Sequence, residues 1–398
     1  MTQHRSRTLA TCCAAHTLHD GLSDITYVLL PVLAQAFGLS LAQVGLIRSA
    51  HRTAMAAFQI PAGLIAEKFG ARNLLALGTF IAGCAFVALG YVEGFWPILI
   101  ALFFAGVGSA VQHPLCSTII SHAYPGEGRR AALGTYNFFG DVGKFAFGGA
   151  MSLLLVAGLA WQVSIVGYGV VGAVIAVLIF LWIADTRMTR PASRAAAPAL
   201  ASRTTGWGIR SRGGFTALCA IEVLDSSTRT GFLTFIAFLL IAKGLSEGWA
   251  VLAVPLILVG GMAGKLACGF LAERLGIIRT IVITEAATAA GILLCVALPA
   301  IGAFVLLPLV GIVLQGTSSV LYATIGDLVE PDRLPRAFGL FYTVGSICGI
   351  AAPLIYGMIG DLAGVETAIL AVGCAVLLTL PLCLGLRSAI GAARPATI

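Results

Sequence analysis

Residues 63–73 read GLIAEKFGARN, and residues 269–280 read GFLAERLGIIRT. Both follow the order Gly-x-x-Ala-Glu-(Lys/Arg)-x-Gly with an arginine shortly after, and each stands between two long apolar runs. Glycine lets a helix end and the backbone reverse, while an acid and a base near helix termini interact with the end dipoles and tie neighbouring helices together. One such turn is weak evidence; its recurrence at corresponding places points to an internal repeat. A second echo supports this: RRAALGTYNFFGDVG (129–143) and LPRAFGLFYTVGSICG (334–349) each open the fifth apolar segment of their half.

The chain of 398 residues is 59% hydrophobic and 10% charged, too little polar surface to dissolve a globule of this size. A hydrocarbon core about 30 Å thick needs roughly 20 apolar helical residues to cross it, and such runs follow one another almost end to end. Twelve spans are predicted, at 10–37, 42–66, 73–92, 96–122, 131–157, 161–184, 214–241, 248–272, 280–298, 303–328, 336–360 and 366–387. The first is longer than a signal-peptide apolar region, lacks a small-residue cleavage site and holds acids, so it is expected to be a retained helix with no soluble domain before it. Residues 185–213, rich in Arg, Ala, Ser and Pro, break the pattern for longest. They predict a cytoplasmic linker between an N-terminal six-helix bundle (1–184) and a C-terminal one (214–398).

The net charge of +7 reports topology rather than a nucleic-acid partner. With the N-terminus inside, Arg5, Arg7, Lys68, Arg72, Arg129, Arg130, Arg187, Arg190, Arg194, Arg203, Arg210, Arg212, Arg274, Arg279, Arg333, Arg336, Arg387 and Arg394 all fall on the cytoplasmic side, and Lys243 is the cation in the opposite breaks. That bias predicts a multi-pass protein of a bacterial inner (plasma) membrane with both termini cytoplasmic. The ten cysteines form no CxxC pair and show no metal-ligand spacing, so they read as buried apolar side chains, with neither cofactor nor resident metal expected.

Ionisable residues nevertheless interrupt the apolar runs. Counted from the cytoplasmic end of each span, Asp20, His113 and Asp141 lie nine or ten residues in, and Asp24, Arg52 and Lys144 thirteen or fourteen. At 1.5 Å per residue this is about 14–21 Å deep, the middle of a bilayer. A charge facing lipid there costs a few kcal/mol, so such groups face a bundle interior or a wet cavity. Spacing agrees: His16, Asp20 and Asp24 share one face of the first helix, Arg48, His51 and Arg52 one face of the second, Asp141 and Lys144 one face of the fifth, and Glu222, Asp225 and Arg229 one face of the seventh. His16, Asp20, Asp24, His113 and Asp141 are the candidate proton carriers. Arg48, His51, Arg52, Gln112, Lys144, Asp225 and Arg229 are the candidate substrate contacts, the cations suiting an anionic group. The bland alternative is a set of internal ion pairs, Asp141 with Lys144 and Asp225 with Arg229. Lys265 and Glu285, nearer the cytoplasm, read as structural.

The repeated turn resembles the loop signature of the major facilitator superfamily, with Glu67 and Glu273 where that family more often has Asp. The resemblance implies an all-α membrane fold of two pseudo-symmetric six-helix bundles around a cavity opened alternately to each side. In that setting Gly63, Glu67, Lys68, Gly70, Arg72, Glu273 and Arg274 are expected to act as a conformational latch. GVGSAVQHPLCS (106–117), AHTLHD (15–20) and GLSLAQVGLI (38–47) resemble the fosmidomycin-resistance branch, the matching residues being His16 with Asp20, and Gly106, Gly108, Ser109, His113 and Pro114. That likeness covers mainly the first 150 residues.

It implies a proton-coupled secondary active transporter, not an enzyme, that exports a small organic, drug-like compound, anions among them, by alternating access. Such a unit is expected to work as a monomer, with the substrate, protons and the lipid bilayer as its partners. Three readings stay open beside it: proton symport importing an organic anion; export of a metal or metalloid, motivated by His16, His19, His51, His113 and the thiols; and, outside transport, a transporter-like sensor or assembly factor. The chain contains no Gly-x-x-x-x-Gly-Lys-Ser/Thr stretch for ATP, and no nucleophile elbow or zincin motif for intramembrane catalysis.

Overall fold

The computed structural model describes residues 2–124, 128–183, 207–330 and 334–393, with the backbone alone at 2–4, 67, 129–131, 266, 334–336 and 390–393. Arg187, Arg190, Arg194, Arg203, Arg333, Arg394 and residues 185–206 of the expected linker lie outside the described residues, as do the side chains of Glu67, Arg129, Arg130 and Arg336.

The described chain is nearly all helix. In the first half it forms α1 (Thr2–Phe37), α2 (Leu41–Phe69), α3 (Ala71–Leu89), α4 (Phe95–Ser109), α5 (Gln112–Ala123), α6 (Arg129–Val156) and α7 (Trp161–Trp182). The second half forms α8 (Arg212–Ala242), α9 (Glu247–Ala250), α10 (Ala253–Leu275), α11 (Ile277–Ala297), α12 (Ala300–Leu328), α13 (Leu334–Ala363), α14 (Val365–Leu377) and α15 (Thr379–Ala393). Among the described residues ten spans are long and apolar enough to cross a membrane, three of them made of consecutive pieces, α4 with α5, α9 with α10 and α14 with α15. Helices α1 and α2, 36 and 29 residues long, have the length but carry the ionisable stripes that lower their apolarity. Together they complete six spans in each half.

Contacts divide the chain into two units, Met1–Leu39 with Leu46–Ala199, and Ser40–Gly45 with Leu200–Ile398. The first has a core around Cys12, Leu75, Val111, Leu115, Cys116, Ile119 and Tyr136, the second around Leu218, Ile221, Ile281, Leu321, Ile325, Phe341 and Leu386.

Both repeated turns fold alike. Helix α2 ends at Phe69 and α3 starts at Ala71 with only Gly70 between them, at φ +86°; α10 ends at Leu275 and α11 starts at Ile277 around Gly276, at φ +84°. An L side chain is strained at such an angle, which is why glycine recurs there. Lys68, Glu273 and Arg274 are exposed at these turns. Arg72 donates from Nε to Asn73 Oδ1 (3.1 Å) and lies over the Phe180 ring, 4.8 Å from its centre.

Two details follow from capping and proline chemistry. Pro114 in the first turn of α5 has no N–H to continue the ladder from α4, and the span is interrupted at Ala110–Val111. Lys243, beyond the end of α8, donates to Leu298 O (2.8 Å) and Val296 O at the end of α11, satisfying carbonyls that no helical N–H reaches.

Candidate functional site

The first unit gathers its ionisable groups where α1 meets α6. This seam is built from small residues: a Cβ on Gly143 would strike the Thr17 carbonyl, one on Gly21 would come 2.5 Å from the Phe147 ring, and one on Gly140 would come 2.5 Å from His16 Nε2 and 2.9 Å from Asp20 Oδ2. Small side chains let helices approach closely inside a bilayer. Here they bring the 16–20–24 stripe of α1 against the 136–140–144 stripe of α6.

Asp20, its side chain 10% exposed, is the hub. Its Oδ2 lies 3.1 Å from Lys144 Nζ and 3.3 Å from His16 Nε2, and its Oδ1 lies 3.4 Å from His113 Nε2. Lys144 Nζ is also 3.3 Å from Asp141 Oδ1. Expected proton carriers and an expected substrate contact thus share one cluster: His16, Asp20, His113, Asp141 and Lys144. The bland pairing of Asp141 with Lys144 is present within it. His113 and Lys144 keep 41% and 30% of their side chains exposed, so the cluster is open on one side.

His16 is held on three sides. Its Nδ1 is 2.7 Å from Tyr136 O, its ring stacks on the Tyr136 ring with centres 4.1 Å apart, and the His113 ring meets it edge-on at 5.1 Å. A carbonyl oxygen only accepts, so Nδ1 carries the hydrogen and Nε2 is left facing Asp20. Gln112, fully buried, donates from Nε2 to Tyr136 OH (2.8 Å) and so fixes that ring in turn. Tyr136 was not among the candidates from sequence. The signal available was its position one helical repeat before Gly140 and two before Lys144.

The remaining candidates go elsewhere. Arg48, 1% exposed, spends its Nη1 on Ser23 O (2.9 Å) and Thr26 Oγ1 (2.7 Å), pairs through Nη2 with Asp24 Oδ1 (3.4 Å) and stacks over Tyr27 at 3.7 Å. Arg48 and Asp24 therefore bind α2 to α1. Arg52, one turn along and partly exposed, forms no ion pair with any described residue. His51 is fully buried beside Gly106, where a Cβ would strike its carbonyl, and neither ring nitrogen has a hydrogen-bond partner among the described residues. His19 also points away from the cluster: its Nε2 is 2.9 Å from Thr79 Oγ1, whose hydrogen goes to Leu75 O (2.8 Å), so His19 donates there and serves packing.

Three of these groups, His16, Asp20 and His113, each offer a ligand atom within 4.8 Å of the others. That brings together two of the histidines weighed for metal, with Asp20, and leaves out His19 and His51. The Lys144 ammonium, already on Asp20, weighs against a metal cation there, since like charges would share the carboxylate. In the second unit Asp225 and Arg229 pair at 3.2 Å, as the bland reading has it, with Arg229 18% exposed.

The chain is 26% identical over 384 residues to the hexuronate transporter of Bacillus subtilis (strain 168), covering 91% of this chain and 90% of that one. It is 26% identical over 168 residues to the 4-hydroxybenzoate transporter PcaK of Pseudomonas putida, covering 42% and 37%. Among solved structures it matches a bacterial homolog of the human lysosomal transporter Spinster, in an inward-facing and occupied conformation, with a TM-score of 0.84, 17% identity and 99% of each chain covered, a likeness of fold. The profile of the Major Facilitator Superfamily matches residues 12–325 and 268–397. A nearly all-helical chain of two six-span halves, with an ionisable cluster inside its first unit and that family's profile along its length, is a multi-pass membrane protein belonging to the Major Facilitator Superfamily.

Proposed function

We propose that this transporter moves a small organic anion across a bacterial inner membrane by alternating access, together with protons, and that its cargo competes with Asp20 for Lys144. The observation that carries this reading is the partly exposed Lys144 ammonium bound to a carboxylate that two histidines also contact. When an anion takes Lys144, Asp20 loses its strongest counter-charge and gains a proton, which His113 or His16 is placed to deliver. When the anion leaves, Asp20 returns to Lys144 and the proton goes. Cargo binding and proton binding are then linked by charge alone.

The anion class is supported by the names of the relatives, transporters of hexuronate and of 4-hydroxybenzoate, both carboxylates. Arg52, without an ion pair among the described residues, is a second cation for such a group. In this reading Arg48, His51 and Gln112 act by holding α1, α2 and Tyr136 in place, Asp225 and Arg229 are cargo contacts of the second unit taken by itself, and the two glycine turns with Lys68, Arg72, Glu273 and Arg274 serve as the latch. Cytoplasmic termini and a working monomer belong to the same proposal. Because anion and proton bind together here, an inward proton gradient drives import of a carboxylate, the cargo class of the relatives; proton-driven efflux of a fosmidomycin-like cargo is the runner-up and requires cargo and proton to exclude each other.

The test is flux in oriented proteoliposomes with an imposed proton gradient, using radiolabelled glucuronate and 4-hydroxybenzoate. Gradient-dependent flux that Lys144→Met abolishes supports the reading, and its direction separates export from import. Flux of neither anion, or flux indifferent to the gradient and to Lys144→Met, overturns it.

A further inference from the structure

The second unit gathers two further acids, Glu222 and Glu285, around Asp225, and the anion reading uses neither. Glu222 and Asp225, one turn apart on α8, and Glu285 on α11 are 2%, 3% and 1% exposed. Asp225 and Glu285 lie close enough for their charges to act on each other. An ionised carboxylate only accepts, so two carboxyl groups brought together this way favour a proton on one of them. Glu222 Oε2, Glu285 Oε1 and Thr288 Oγ1, one turn after Glu285, are buried with no hydrogen-bond partner among the described residues, and Asp225 Oδ2 faces Arg229 Nη2. Arg229 stands 3.2 Å from Asp225. One guanidinium balances one carboxylate, and a second or third bare charge would be left unpaired away from water. Protons on the acids close the balance.

We propose that the Asp225–Glu285 pair, with Glu222 one turn away, binds an exchangeable proton inside the second unit. The proton comes from water as the cluster opens and returns to water on release, with no other bond made or broken. Glu222 sets how readily this happens: α13 approaches so closely that a Cβ on Gly345 would lie 2.7 Å from Glu222 Oε1, and Ser226 Oγ donates to Gly345 O at 3.1 Å. A small shift of α13 against α8 therefore changes the surroundings of Glu222 directly. The other titratable groups within reach are Cys219 on α8, Tyr322 on α12, Tyr342 and Cys348 on α13, and Cys383 on α15. All five are neutral acids near neutral pH, so none replaces the carboxyls as the proton carrier. The inference rests on no step of anion transport.

Infrared spectroscopy of the full-length protein in lipid vesicles, in H2O and in D2O at neutral pH, reads the C=O stretch that a protonated carboxyl has and a carboxylate lacks. Wild type is expected to show this band with an isotope shift. Asp225→Asn and Glu285→Gln are each expected to remove at least half of it, while Asp20→Asn and the exposed-site variant Asp327→Asn leave it in place. Absence of the band in wild type overturns the proposal whatever the variants do. So does a band that survives both Asp225→Asn and Glu285→Gln, or one that Asp20→Asn removes.

Discussion

Lys144 Nζ lies 3.1 Å from Asp20 Oδ2, joining α6 to α1 by a charge pair that stays open to solvent on the lysine side. Several consequences of this arrangement are measurable.

Replacing Lys144 by Met leaves Asp20 and Asp141 without their shared cation. Affinity for an anionic cargo should fall about 10-fold or more, the scale of removing one partner from a partly desolvated charge pair. Lys144→Arg keeps the charge with a different shape and should recover part of it. Binding of radiolabelled glucuronate to purified protein checks both.

Gly140→Ala places a methyl 2.5 Å from His16 Nε2 and 2.9 Å from Asp20 Oδ2. Neither side chain has room to yield without breaking the cluster, and overpacking of this kind costs about 1–3 kcal/mol. Thermal unfolding should fall by a few degrees while cargo binding falls further, whereas Gly134→Ala on the same helix, with open space around its Cβ, should change neither.

Tyr136→Phe removes the hydroxyl that accepts from Gln112 and keeps the ring under His16. A buried amide left without a partner costs about 1–3 kcal/mol. The expected result is lower thermal stability with transport preserved at permissive temperature; Tyr136→Ala should lose both. Equal transport by the two variants would detach the His16 stack from function.

Arg48 and Arg52, four residues apart, should behave differently. Arg48→Met exposes Asp24 to a dry site and abandons two hydrogen bonds to α1, so its effect should appear as a loss of folded protein, on the order of 3–5 kcal/mol. Arg52→Ala should leave stability nearly unchanged and weaken an anionic cargo more than a neutral one. A matching drop for both cargo types would assign Arg52 to packing.

Much of this was legible in the sequence because its signals are periodic. The four-residue step of His16, Asp20 and Asp24 put them on one face, and the twin glycine turns exposed the repeat that the φ values at Gly70 and Gly276 bear out. Hydrophobic runs mark where a helix meets lipid and not where it ends. Hence α1 begins at Thr2 rather than at residue 10: Arg7 lies over the Trp182 ring, 5.6 Å from its centre, and Thr11 bonds back to Arg7 O, extending the helix beyond its apolar part. Periodicity also fails to say which face a neighbour covers. Arg48 and Arg52 lie on one stripe, yet α1 consumes the donors of the first. Tyr136 sits beside Phe138 and Phe139 with no charge to distinguish it, and its importance arises only when α1 brings His16 onto its ring. Glu285, counted by depth alone, read as structural; its contact with Asp225 depends on the rotation of α11, which spacing on a single helix does not encode.

The most direct test of cargo and proton sharing Lys144 and Asp20 is proton uptake on cargo binding, followed by titration calorimetry in buffers of different ionisation enthalpy. Wild type should take up close to one proton per anion bound at neutral pH, and Asp20→Asn should bind the anion with none. Binding to wild type without proton uptake, or an unchanged proton count in Asp20→Asn, would contradict the account.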